Sequence, residues 1–165
     1  AKTMDEEGGA APLPPQMTQA GSQQLEFWTL PDDRKAVDRI KTVIRSAKKC
    51  IKVAMFFWTR QDFAQEVLDA AERGVQVEVV VDSNSGRGAG AKVVKLLHEG
   101  GIKVGLSTSQ GLLHHKFAYI DDSLLVNGSA NWTARAFKEN DDFFAILYPL
   151  TEEQKAKMES LWKVI

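Results

Sequence analysis

Leu112–Thr133, LLHHKFAYIDDSLLVNGSANWT, places two apolar runs of strand length on either side of Asp121 and Asp122. HHKFAYI and SLLVNG therefore read as a β-hairpin, with Asp122 a turn residue. Side chains two apart on a strand share a face, so His114 stands with Lys116 and His115 with Phe117. After the second run Ser129 and Asn131 are again two apart, and Asn131 is expected to start a short helix whose free amide groups favour anions. A lysine, a hydroxyl, a carboxamide and backbone amides gathered on one imidazole make a phosphate pocket with a nucleophile in it. The chain has three histidines, and two of them are in this stretch.

Upstream, strand-like and helical patterns alternate. LEFWTL reads as a strand, and DDRKAVDRIKTVIRSAKK as a helix with Val37, Ile40, Val43, Ile44 and Ala47 on one face and Asp32 or Asp33 as its cap. CIKVAMFFW is a buried-type strand, and RQDFAQEVLDAAERG a helix stopped by Gly74. VQVEVVVD is a β-branched strand, GAKVVKLLHEGG a third helix and IKVGL a further strand. Downstream, DDFFAILY returns as a strand and TEEQKAKMESLWKVI closes as a helix with Met158, Leu161 and Trp162 on one face. The alternation predicts an α/β domain, with a mostly parallel or mixed sheet and helices on both faces.

The spacing within the opening stretch resembles a known family. His114-x-Lys116, four residues, Asp121, six residues and Gly128-Ser129-x-Asn131 match the His-Lys-Asp motif of the phospholipase D superfamily. HHKFA with GSANWT is most similar to its small single-motif branch, which includes bacterial nucleases and the Zucchini or mitochondrial cardiolipin hydrolase proteins. AAERGVQVEVVVD, LLHEGGIKV and ENDDFFAI extend the likeness over roughly residues 25–165. The resemblance implies that His114 attacks phosphorus, that Lys116 and Asn131 hold the phosphate oxygens, and that Ser129 hydrogen-bonds in the same pocket. It implies a structural or supporting role for Asp121, and puts Asp141 where relatives carry a glutamate that orients the histidine. It also implies a homodimer, because the chemistry takes two histidines and this chain has one motif and no internal repeat. The expected activity is that of a metal-independent phosphodiesterase without a cofactor. A nuclease on single-stranded DNA or RNA is preferred to a phospholipase acting on a lipid such as cardiolipin, and a catalytically silent phosphate-binding module is the alternative outside enzymology.

The rest of the chain is less specific. Residues 1–24 hold three of the five prolines and read as a flexible leader, with the catalytic domain over residues 25–165. A net charge of −1 gives no global attraction to polyanions, so a nucleic acid would have to be met by a local basic groove. Arg60, Arg87, Lys92, Arg135 and Lys138 are candidates for it, with Trp58 as a base-stacking or packing residue. Arg87 belongs to DSNSGRGAG, expected as a mobile rim loop. Leu112 and Leu113 are the candidate lip for a lipid substrate. His98 and His115 read as a solvated helix-end residue and a packed or rim residue. The single cysteine, Cys50, reads as inert packing and excludes an intrachain disulfide and a cysteine-rich zinc cluster. No run approaches the ~20 apolar residues of a membrane helix, and compartment is not legible.

Overall fold

Seven strands of one sheet organise the computed structural model, which describes residues 22–165. The elements in chain order are β1 (Gln24–Leu30), α1 (Ala36–Arg45), β2 (Cys50–Met55), α2 (Gln61–Glu72), β3 (Gln76–Val81), α3 (Ser83–Arg87), α4 (Ala91–Glu99), β4 (Lys103–Leu106), β5 (Lys116–Ile120), β6 (Leu124–Gly128), α5 (Ala134–Lys138), β7 (Asp142–Tyr148) and α6 (Glu152–Val164). The strand order is β1-β7-β6-β5-β2-β3-β4. Helical crossovers make β2, β3 and β4 parallel, whereas a tight turn makes β5 and β6 antiparallel and the return through α5 sets β7 antiparallel to β6. Antiparallel β1 completes one edge, and β2 meets β5 antiparallel at the centre. The sheet is thus the mixed form of the expected architecture.

Both faces are covered by helices, and strand alternation divides the apolar side chains between them. Val53 and Met55 of β2 and Ala118 and Ile120 of β5 face the main core, with Ile40 and Ile44 of α1, Phe63 and Val67 of α2 and Leu97 of α4. Ala54, Phe117 and Tyr119 face the other way, against Met158, Leu161 and Trp162 of α6. The helix α6 begins with a capping box between Thr151 and Gln154, and Trp162 Nε1 donates to Glu78 Oε2 at 2.9 Å. A bidentate pair between Arg45 and the buried Glu66 fastens α1 to α2.

Two local expectations are corrected, and a third lies almost wholly outside the described residues. Neither Asp32 nor Asp33 caps α1: Lys35 is the N-cap residue, without a side-chain bond, and Asp33 Oδ2 instead accepts the Thr29 N–H at 2.8 Å. DSNSGRGAG is not a rim loop, because Asp82 caps the short helix α3 and Gly86 is buried against Val81 and Leu106. The leader lies outside the described residues up to position 21, and within them β1 starts just ahead of Leu25, with Gln23 Nε2 donating to the Pro149 carbonyl at 3.0 Å.

Candidate active site

Antiparallel pairing brings the start of β5, the end of β6 and the start of β7 to one edge of the sheet, and with them Lys116, Gly128 and Asp142. Gly128 is required there, since a Cβ on it would stand 2.6 Å from Phe144 Cα and against the Phe143 carbonyl. The close approach of β6 to β7 sets the position of Ser129.

His114 is exposed and lies just ahead of β5, in the irregular segment 107–115, rather than on the strand itself. Its ring leans on Phe56, with centroids 4.9 Å apart. Lys116 Nζ is 3.2 Å from His114 Nδ1 and 3.4 Å from Nε2, donates to the His114 carbonyl at 3.0 Å, and sits 5.5 Å over the Phe56 ring. Partial burial pushes the Lys116 ammonium below its usual pKa, and the Asp142 carboxylate opposes that shift. Asn131 Oδ1 accepts the Phe57 N–H at 3.1 Å, which leaves the amide NH2 as a donor in the groove that Asn131 lines. Ser129 Oγ donates to Asp142 Oδ1 at 2.8 Å and accepts the Phe143 N–H at 3.1 Å.

The structure therefore brings together His114, Lys116, Ser129 and Asn131, and sets Asp142 rather than Asp141 beside them, bound to Ser129 and not to the His114 ring. Asp141 is exposed and makes no side-chain hydrogen bond, whereas Asp142 is bound to Ser129. Alternation along β7 carries the signal: Phe144 and Ile146 face the main core, so Asp142 shares the side of Lys116, Ala118 and Ile120. Asp121 sits at the opposite end of β5, where its carboxylate accepts the N–H groups of Lys48, Lys49 and Cys50. Asp121 and Asp122 both take left-handed backbone, at φ 54° and 53°. Asp121 thus ties the hairpin turn to the α1–β2 junction and does not reach the site. The expected anion-binding helix start is absent too. Thr133 is the N-cap of α5 and accepts the Ala136 N–H, while the Ser129 and Ala130 N–H groups are taken by the Phe143 carbonyl.

The proposed substrate contacts fare differently. Trp58 is buried, edge-to-face on Trp132, with Nε1 bound to the Arg60 carbonyl, so no base can stack on it. Arg60 is held bidentately by Asp62 and lies over the rings of Phe63 and Phe137, lining a cleft that does not contain His114. Arg87 is exposed on α3 and lines neither groove at His114. His115 packs edge-on to Phe117, and Leu113 is buried, which leaves Leu112, 59% exposed, as the available lip.

Two grooves meet at His114 and His115. One, of about 800 Å³, runs past Lys116, Asn127, Ser129, Asn131, Phe143 and Met158. The other, of about 520 Å³, runs past Ser107, Ser109, Leu112 and the end of α6. A separate cavity of about 830 Å³, at the far end of β2 and β3, carries charges of both signs and none of the motif's His, Lys, Ser or Asn. Among the described residues no group of three or more His, Cys, Asp or Glu side chains converges as a metal site, and no helix is long and apolar enough to cross a membrane.

Fold and site together define an α/β protein with a histidine, a lysine and an asparagine gathered on a solvent-open groove at the strand ends of a mixed sheet. A family model described as cardiolipin synthase, PLD-like domain, matches residues 40–162. The chain belongs to the phospholipase D superfamily. It is 30% identical over 129 residues to the mitochondrial cardiolipin hydrolase of Chlamydomonas reinhardtii, covering 77% of this chain and 57% of that protein. Among solved structures it is similar to NucT from Helicobacter pylori, at 26% identity and TM-score 0.78, covering 86% of this chain and 94% of that one. The fold of Nuc from Salmonella typhimurium, a phospholipase D family member, superposes with TM-score 0.79 at 21% identity over 86% of this chain and 93% of that one. The chain spans 57% to 64% of the lengths of the first curated relatives that it matches.

Proposed function

We propose that this chain is a metal-independent phosphodiesterase that works through a phosphohistidine on His114. The observation that carries the reading is the convergence of His114, Lys116 and Asn131 on one solvent-open groove, beside the Ser129–Asp142 pair. A ring nitrogen of His114 attacks phosphorus, and the P–O bond to the leaving group breaks as that oxygen takes a proton. Water then attacks phosphorus, its proton passes back to the group that protonated the leaving oxygen, and the N–P bond breaks with its electron pair returning to the ring. The Lys116 ammonium and the Asn131 NH2 stabilise the charge on the non-bridging oxygens. His114→Asn is expected to lower turnover of bis(p-nitrophenyl) phosphate by a factor of about 10³ or more. His115→Ala stays within about threefold, and wild-type activity survives a chelator. Unchanged activity in His114→Asn, or complete loss with chelator, refutes the reading.

The departing oxygen needs an acid. Among the described residues the other histidines are the exposed His98 on α4 and His115, packed on Phe117, so the acid is assigned to His114 of the partner subunit in a two-fold dimer. An uncovered apolar face supports this. Leu25 and Phe27 of β1 and Phe143 of β7 are 53%, 67% and 45% exposed on one side of the sheet, beside α6, none of whose residues is buried. Sedimentation should show a dimer that Phe27→Glu splits into inactive monomers, and an active wild-type monomer would exclude the arrangement.

The preferred substrate remains the single-stranded nucleic acid expected from the motif. The two grooves that meet at His114 leave room for a strand continuing past phosphorus in both directions, although a lipid diester presents the same two arms. Exposed Leu112 and Val164 at one groove favour a phospholipid as the second reading. Labelled oligonucleotides and anionic phospholipid vesicles assayed side by side, with His114→Asn as the blank, decide between them. Turnover of vesicles alone overturns the nucleic-acid preference.

A further inference from the structure

The residue read as the nucleophile sits at the end of an irregular stretch. Between the end of β4 at Leu106 and the start of β5 at Lys116, the chain has no regular structure to hold it. Ser107 N–H still donates to the Val81 carbonyl, but Ser109 binds only within the segment, to Ser107 and Gly111. The stretch is next tied to the rest of the fold beside His114 itself. On one side the Leu113 N–H donates to Asp82 Oδ1 at 3.0 Å, and on the other the Phe56 N–H donates to the His115 carbonyl at 2.9 Å.

Asp82 is built for directional holding. It is 4% exposed at the end of β3 and is in no salt bridge among the described residues, so its charge is met by hydrogen-bond donors. Oδ2 accepts the Ser85 N–H at 3.2 Å and the Ser85 hydroxyl at 3.3 Å, which leaves Oδ1 aimed at Leu113. A buried carboxylate is costly unless such donors surround it, and a hydrogen bond to an ionised acceptor is stronger than one between neutral groups. Leu113 is itself buried, packed in the apolar layer that contains Phe117 and Tyr119. The main chain and side chain immediately before His114 are therefore locked, while the imidazole remains free to meet substrate.

We infer that Asp82 is a positioning residue for the phosphodiester reaction, acting on His114 through the Leu113 amide. This rests on the reading of His114 as the nucleophile. In-line attack on phosphorus tolerates little displacement, and a misplacement of about 1 Å costs about a hundredfold in rate. The same carboxylate also caps α3, and Ser85 separates the two roles: Ser85→Ala removes the hydroxyl bond of the cap and leaves the Leu113 bond in place.

The test compares Asp82→Ala, Asp82→Asn and Ser85→Ala on the full chain. Thermal unfolding measures folding, and kcat and KM for bis(p-nitrophenyl) phosphate measure the site. Asp82→Ala is expected to lower kcat about a hundredfold with KM changed less than about threefold. Asp82→Asn keeps an oxygen for the Leu113 N–H and is expected to recover about tenfold of that loss, and Ser85→Ala stays within about threefold of wild type. Should Asp82→Ala fail to fold, the Asp82→Asn and Ser85→Ala pair carries the comparison, with about a tenfold gap in kcat expected between them. Equal losses in Asp82→Asn and Ser85→Ala, or activity that only tracks the folded fraction, overturn the inference and leave the phosphodiesterase reading intact. A wild-type protein without phosphodiester turnover removes that reading and the inference with it.

Discussion

Ser129 Oγ donates to Asp142 Oδ1 at 2.8 Å, joining the residue after β6 to the first residue of β7 at the mouth of the groove. Asp141, one residue earlier, makes no such bond and is exposed. Asp142→Asn is therefore expected to lower kcat/KM by about tenfold or more, while Asp141→Asn stays within about twofold. Steady-state kinetics on the two variants decides which carboxylate supports the site, and a larger loss in Asp141→Asn would reverse the assignment.

Lys116 gives the site an alkaline limit. Burial holds its pKa below the usual lysine value, and the Asp142 carboxylate pushes in the opposite direction. On the proposed mechanism the ammonium form binds phosphate, so activity is expected to fall as pH rises through that lowered pKa. Removing the Asp142 charge lowers the pKa further, so Asp142→Asn should shift the alkaline limb of the kcat/KM profile to lower pH. A limb that stays put or moves to higher pH contradicts the coupling.

Gly128→Ala tests the contact that places Ser129. The added Cβ would meet backbone, the Phe144 Cα at 2.6 Å and the Phe143 carbonyl, so no side-chain rotation relieves it. Separating β6 from β7 costs about 1–3 kcal/mol, which lowers Tm by about 3–10 °C in a domain of this size. Differential scanning calorimetry reads the shift, and a variant as stable as wild type would show that β7 moves away without strain.

Arg60, expected at the substrate, is held in the scaffold by Asp62, and that pair predicts acid sensitivity. Asp62 accepts from Arg60 Nε at 2.9 Å and Nη2 at 2.7 Å, and these bonds, helped by Lys41 and opposed by burial, hold its pKa at about 2 against an ordinary 3.8. The folded-state value is the lower one, so the stabilisation is present above about pH 4 and lost as pH falls from there toward 2. With 35% of the Asp62 side chain exposed, solvent screening limits it to about 1 kcal/mol. Asp62→Asn should be less stable than wild type near neutrality, with the difference closing below about pH 3. A difference in Tm that is undiminished at about pH 2 would assign the effect to packing.

Much of this protein is determined by local sequence. The hairpin around Asp121-Asp122, the crossover helices stopped at Gly74 and Gly100 and the layer patterns on β2 and β5 follow from periodicity and turn chemistry, which act between near neighbours. The spacing from His114 to Asn131 likewise specifies which residues of the motif belong together. Tertiary structure decided what those patterns leave open. Alternation along β7 puts Asp142 on the face of Phe144 and Ile146, but only the pairing of Gly128 with Phe144 brings it to Ser129. Trp58 has the composition of a nucleotide contact, but Trp132, brought alongside from a segment distant in sequence, claims its ring, whereas Arg60 is claimed locally by Asp62 two residues on. Asp82 and Leu113 are thirty-one positions apart, and their bond exists only after β3 and β5 join one sheet with β2 between them. Periodicity selects the face on which a side chain stands, whereas its hydrogen-bond partner is set by chain segments distant in sequence, through pairings that no local pattern encodes.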